Sequence, residues 1–225
     1  MDFLVRLFPN VAPRMGEFYQ STIETLIMVG IVGVVSFVIS LALAGGLVTT
    51  ARGLFENIAV YQVLDKVIDL MRSIPFVILV TMMIPLTRLV MGTAIGLKGA
   101  IFPLVVGITP FFTRQLESAL MGVDAGVIEA GVSMGLSRVQ LIWKVMLRES
   151  IPAIAKVTTI TIVHLIALTA VIGVVGGGGL GDFAIRYGFQ RYMVDASVAV
   201  VLVFLVFIYI VETAGKVVIQ ETSHE

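Results

Sequence analysis

The sequence has no cysteine, which excludes disulfides, thiolate metal ligands and a cysteine nucleophile but assigns no compartment. Charge is also scarce. Only 13% of the 225 residues are Asp, Glu, Lys or Arg, against about a quarter in an ordinary soluble domain. The 15 basic and 15 acidic residues cancel, so net charge points to no nucleic-acid or acidic partner, and only the distribution of charge along the chain is informative. Histidine occurs only at His164 and His224, which supplies no metal-ligand cluster. No nucleophile–base set appears either, so no catalytic centre, metal or cofactor is expected. The G-x-x-x-x-G-K-[ST] motif is absent, so the glycines from Gly173 to Gly181 are no phosphate loop and the chain is not its own P-loop ATPase. The start, MDFLVRLFPNVAPRMGEFYQ, has Asp2 and prolines at Pro9 and Pro13 where a secretory signal wants basic charge and an unbroken apolar core. Residues 1–20 read as a short tail or interfacial helix.

What the chain has in abundance is apolar side chains, at 58%. Each membrane span needs about 20 of them, so 225 residues accommodate one all-α polytopic bundle of about five transmembrane helices, with little left for a soluble domain. Thr25 to Val48 is an uncharged run long enough for the first span. Arg52 to Met71 interleaves Asp65, Lys66 and Asp69 with apolar residues at helical spacing and reads as an amphipathic helix at the membrane surface. Arg72 opens a second apolar run to Val90, interrupted by Pro85. Proline inside a span removes a backbone hydrogen bond and is tolerated where protein or water replaces it. The third run, Gly99 to Thr113, carries Pro103 and Pro110 and needs Thr93 to Leu97, or Gln115 onward, to complete a crossing. Val157 to Val175 and Val194 to Val211 supply the fourth and fifth spans, giving a transmembrane domain over 21–216 and a tail over 217–225.

Orientation follows from basic residues. With the N-terminus outside and the C-terminus in the cytoplasm, Arg52, Lys66, Arg72, Arg114, Arg138, Lys144, Arg148, Lys156 and Lys216 fall inside. Arg6, Arg14, Arg88, Lys98, Arg186 and Arg191 fall outside. The bias favours this arrangement. It puts the polar block EAGVSMGLSRVQLIWKVML, Glu129 to Leu147, in the cytoplasm. The block is helical in period on both sides of Gly135-Leu136-Ser137. Glycine permits a sharp exit from the first helix and Ser137 is placed to cap the second. The block resembles a DNA-reading helix-turn-helix in pattern, but Asp124, Glu129 and Glu149 flank it where a DNA reader needs basic residues, and both ends re-enter membrane. A loop that merely packs on the bundle and a coupling loop that passes force from a cytoplasmic motor are the other two readings.

At these residues the chain resembles the permease subunits of bacterial ABC importers. Their pattern of Glu-Ala-Ala, three residues, Gly, nine residues, Ile-x-Leu-Pro is met here by Glu129-Ala130-Gly131, Gly135, Val145 and Leu147. Two positions depart: Gly131 stands at the third place, and Arg148 stands where proline is expected, with Pro152 four residues later. Arg72-Ser73-Ile74-Pro75-Phe76, Ile84-Pro85-Leu86-Thr87-Arg88, Gly92-Thr93, Ile95-Gly96-Leu97 and Gly178-Gly179-Leu180-Gly181 are similar to the methionine branch of that class. The resemblance implies a homodimer in the bacterial inner membrane, two copies of a cytoplasmic ABC ATPase, and an external binding protein or lipoprotein that delivers methionine or a related solute. It makes the segment around Glu129, Ala130, Gly131, Gly135, Val139, Ile142, Met146 and Leu147 a coupling helix-turn-helix docked on the ATPase. Glu129 is then an anchor to a basic residue of the ATPase, Gly135 the hinge, and the face of Val139, Ile142 and Met146 the buried contact.

Met82, Met83, Thr109, Thr169, Gly178 and Gly179 are candidates for the translocation path or its gate. Methionine clusters and span-end glycines equally serve packing and close helix approach. His164 lies inside the fourth span, where an ionisable group is costly and either functional or bonded to a neighbouring helix. A carrier that works without ATP, or a membrane-tethered DNA regulator, would fit the hydropathy but would predict transport without a partner or salt-sensitive DNA binding.

Overall fold

The computed structural model describes residues 7–51 and 57–222. Arg6, Arg52 and His224 lie outside the described residues, as does the side chain of Arg138. A 3₁₀ turn at Ala12–Arg14, with Pro13 supplying the fixed φ of a helix start, leads into α1, Met15–Thr50. Then follow α2 (Ile58–Ser73), α3 (Phe76–Met82), α4 (Ile84–Met91) and α5 (Gly96–Met121). Across the polar block and its flanks run α6 (Ala125–Ser133), α7 (Arg138–Leu141), a π-helical segment over Ile142–Met146, and α8 (Leu147–Glu149). Next come α9 (Ile151–Ile172), a 3₁₀ turn over Gly173–Val175, α10 (Gly179–Phe183), a second π segment over Ala184–Phe189, and α11 (Val194–Thr222). No strand occurs among the described residues.

Four stretches are long and apolar enough to cross a membrane unbroken: Ala12–Thr50, Gly96–Met121, Ile151–Val175 and Val194–Thr222. The predicted second crossing, 72–90, is not among them: that run forms two short helices, α3 and α4. Pro85 has no N–H for the carbonyl of Thr81 and its ring would clash there, so the first helix stops at Met82. The chain restarts with Pro85 in the opening turn of α4, where an N–H has no helical partner to lose. Gly92, at φ +76°, ends α4 by donating its N–H to the Arg88 carbonyl at 2.9 Å. The third run completes its crossing in both directions at once, since α5 extends past Gly99 to Gly96 and past Thr113 to Met121.

The chain packs as two units. One comprises Met1–Val35, Ile74–Gly107 and Ile162–Val211. Its core gathers Val11, Leu180, Phe183, Tyr187, Ala196, Ala199 and Val200, with Phe18 edge-on to Phe183 at 5.2 Å. Within it Gly33 lets α1 and α9 approach: a Cβ there would sit 2.9 Å from Ile162 Cδ1. The other unit comprises Ser36–Ser73, Ile108–Thr161 and Glu212–Glu225. Its core is Ala44, Val48, Phe112, Leu116, Leu120 and Met146. There α2 buries Ile68 and half-buries Tyr61, Leu64 and Asp65. Arg114 of α5 donates to the carboxylates of Asp65 and Asp69 on α2, the latter at 2.9 Å, and to Glu117 at 2.8 Å. Val60, Val63, Val67 and Leu70 are left exposed. Desolvation would make an isolated guanidinium at this depth costly, and the three carboxylates offset that cost.

Candidate functional site

The block from Asp124 to Ile151 is built from short-range rules. Asp124 caps α6 by accepting from the Gly126 N–H at 2.8 Å. At the other end Gly135 takes φ +75°. The Leu136 N–H reaches the Gly131 carbonyl at 3.2 Å and the Gly135 N–H the Val132 carbonyl at 2.9 Å, the paired bonds of a Schellman stop. Two residues later a capping box starts α7. The Gln140 N–H donates to Ser137 Oγ at 3.4 Å, and the Ser137 N–H donates to Gln140 Oε1 at 2.9 Å. Stop and start follow each other with no slack, so the two helical arms meet in a fixed knuckle. The departure at Gly131 has a local reason: it is buried, and a Cβ there would stand 2.6 Å from Leu141 Cδ1 on the second arm.

The second arm is not a plain α-helix. Over Ile142–Met146 it widens to π, with the Leu147 N–H bonding the Ile142 carbonyl. The extra residue in the turn rotates everything beyond it relative to a 3.6-residue count. The expected single face of Val139, Ile142 and Met146 is therefore split, and this corrects the sequence reading. Val139 is 64% exposed, whereas Met146 is 1% exposed and packed into the core with Phe112 and Leu116. Ile142 and Leu147 are half-buried against that same core. The apolar groups turned outward are Val132, Met134, Val139 and Trp143, with Glu129 and Ala130 exposed beside them. Trp143 was missed in the sequence, although it is the only tryptophan in the chain.

Arg148 is exposed and does not disturb the exit. The break falls at Ser150 (φ −89°, ψ 1°), and Pro152 sits in the first turn of α9. Proline still marks the start of the return helix, four residues later than the pattern places it.

The path candidates differ in burial. Met82 is exposed, whereas Met83, Thr109 and Thr169 are buried within the chain, and Thr169 donates to the Ile166 carbonyl at 2.6 Å. Gly178 and Gly179 belong to a packed crossing. The Gly179 N–H donates to Glu24 Oε2 and the Leu180 N–H to Thr25 Oγ1, both at 2.9 Å, so α1 caps the start of α10. Gly173 and Gly181 allow backbone contact: a Cβ on Gly173 would lie 2.2 Å from the Gly181 carbonyl carbon. The N–H groups that a phosphate loop would offer to a ligand are thus used by the protein itself. His164 lies on the exposed side of α9.

A second polar cluster stands beside that crossing. Arg186 donates to Glu17 and to Asp182, the latter at 2.6 Å, and Tyr187 Oη donates to Glu17 at 2.6 Å. Burial disfavours the Arg186 charge, but hydrogen bonds and attraction from Glu17 and Asp182 outweigh it and hold its pKa above the ordinary range.

Residues 42–224 match the family described as binding-protein-dependent transport system inner membrane component. The chain is 42% identical over 205 residues to the probable D-methionine transport system permease protein MetI of Vibrio cholerae, covering 91% of each. It is 38% identical to the methionine import system permease protein MetP of Bacillus subtilis, covering 95% of this chain and 96% of that one. Among solved structures, an inward-facing conformation of the MetNI methionine ABC transporter aligns with a TM-score of 0.92 at 36% identity, over 94% of this chain and 99% of its counterpart.

Proposed function

Because this chain belongs to the family of binding-protein-dependent transport system inner membrane components, we propose that it is the permease subunit of an ATP-binding-cassette importer for methionine, D or L. The observation that carries the reading is the knuckle. Both arms are locked by caps, and it turns Glu129, Val132, Met134, Val139 and Trp143 away from the core. An exposed tryptophan among apolar groups is the composition of a binding hot spot, and a rigid mount lets a partner's displacement reach the spans to which it is joined.

In this reading two copies enclose the path, since about five crossings from one chain enclose it poorly. Each copy seats its knuckle on one of two cytoplasmic ATPase subunits, and hydrolysis belongs to those subunits. An external binding protein delivers the substrate. The N-terminus lies outside and the C-terminus in the cytoplasm, as the basic residues favour. ATP binding draws the ATPases and the two knuckles together and opens the bundle outward; hydrolysis resets it. The chain contributes a two-state element and no covalent chemistry. Relatives read as methionine permeases supply the substrate.

The test is methionine uptake by vesicles carrying the chain with its ATPase and binding protein. Uptake should require all three and ATP, and a Gly135→Val chain should lose it while ATP is still hydrolysed. Normal coupled uptake by that variant would remove the knuckle from the mechanism. ATP-driven uptake of a different solute with methionine excluded would overturn the substrate alone.

A further inference from the structure

An open groove of about 200 Å³ lies where the chain enters α1, lined by Val11, Ala12, Met15, Phe18, Leu202 and Val203 among others, all apolar. Just before these residues Asn10 joins the chain to the start of α11, its backbone N–H and side-chain amide donating to Asp195 at 2.8 and 2.9 Å. Beside it the ring of Tyr187 carries three guanidiniums, those of Arg14, Arg186 and Arg191, at 5.0, 5.2 and 4.8 Å from its centroid. Arg186 is neutralised by Glu17 and Asp182. Arg14 and Arg191 make no ion pair within 4 Å among the described residues; the Arg14 guanidinium donates to the Asn10 carbonyl at 2.8 Å and attracts Glu17 from farther off. Phe189 and Tyr192 are exposed close by in sequence, and Tyr192 is held in the left-handed region at φ 57°.

A groove of this kind on a span cannot stay empty in hydrocarbon. Its walls would forfeit their dispersion contacts, and water would find no polar partners there. The apolar material at hand is an acyl chain. A tail in the groove gains little over its neighbours, because lipid tails are as apolar as the leucines they touch, so selection must come from the headgroup. The two unpaired guanidiniums, at the end of the spans with exposed aromatics beside them, favour negative charge at headgroup depth.

We propose that this end of the chain holds one anionic glycerophospholipid, its acyl chain in the groove between residues 11–18 and α11 and its phosphate on Arg14 and Arg191. The proposal stands whatever the substrate is.

The test is native mass spectrometry of the full chain with its ATPase, titrated with phosphatidylglycerol and phosphatidylcholine. One phosphatidylglycerol per copy should be retained with a preference of about 10- to 30-fold over phosphatidylcholine, since each uncompensated arginine is worth about fivefold. R14Q and R191Q should each cut that preference about fivefold, and R14K and R191K should keep it. L202W, which fills the groove from a side chain already half exposed, should lower retention of both lipids without shifting the melting temperature. An unchanged preference in the R14Q/R191Q double variant, or unchanged retention in L202W, overturns the proposal. So does a double variant that keeps its lipid preference but loses stimulation by the external binding protein, which would make the arginines a protein contact.

Discussion

At single residues, the glycines separate two reasons for lacking a side chain. Gly135 has open space around its missing Cβ and is constrained only by φ +75°, so Gly135→Val should cost about 1–2 kcal/mol of local backbone strain. The variant should still insert, and the loss should appear as ATP hydrolysis without uptake. Gly181 is constrained by space: its Cβ would lie 2.5 Å from the Ala170 carbonyl oxygen, and a backbone atom cannot rotate away. Gly181→Ala should therefore lower stability by about 1–3 kcal/mol or more, read as a drop in the melting temperature of the detergent-solubilised complex. Gly30→Ala, which meets nothing within 4 Å, should leave that temperature unchanged. The sequence displayed both glycines alike, because the difference lies in what stands opposite each one.

At the level of elements, α2 depends on one guanidinium. Arg114, with 18% of its side chain exposed, serves Asp65, Asp69 and Glu117 together. Arg114→Met removes the cation and leaves three carboxylates facing one another. Breaking a buried pair costs about 3–5 kcal/mol, and the partial exposure here reduces that to about 1–3. Asp69→Asn should cost under about 1 kcal/mol, because Asp69 is 57% exposed and the remaining pairs persist. Thermal unfolding of the two variants should show that order, and equal losses would contradict the shared-cation account. The amphipathic period over 52–71 was legible, and the described helix occupies Ile58–Ser73, but which residues faced the protein was not. Arg114, 45 residues beyond Asp69 in the chain, draws Asp65 and Asp69 toward the protein beside the buried Ile68. Pro85 was read as an interruption, and the structure shows it as the boundary between α3 and α4.

For the whole molecule, the knuckle gives two tryptophan- and methionine-based outcomes that separate docking from folding. Trp143 is 62% exposed and Met146 is buried in the chain's own core. Trp143→Ala should weaken ATPase binding by about 2 kcal/mol, roughly 30-fold, measured by co-purification at falling concentration, with the melting temperature of the permease alone unchanged. Met146→Ala should do the reverse, lowering stability by about 2–5 kcal/mol. If Met146→Ala alone abolished ATPase binding in a chain that melted normally, the assignment of faces would be wrong.

Composition alone pointed to the environment: 58% apolar residues with 13% charged ones would leave large apolar surface against water, and the long uncharged runs carry the chain across a membrane as helices, which satisfy their own backbone. Local chemistry also fixed the knuckle, because Gly135, Ser137 and Gln140 act through bonds three to five residues long. Three outcomes were left to the tertiary structure. The π turn at Ile142–Met146 chose Trp143 over Met146 as the outward group. The N–H groups of Gly179 and Leu180 went to Glu24 and Thr25, each 155 residues away. Arg114 gathered acids from a second helix. Each is decided by which atoms meet across elements, and a period read along one strand of sequence contains no term for that.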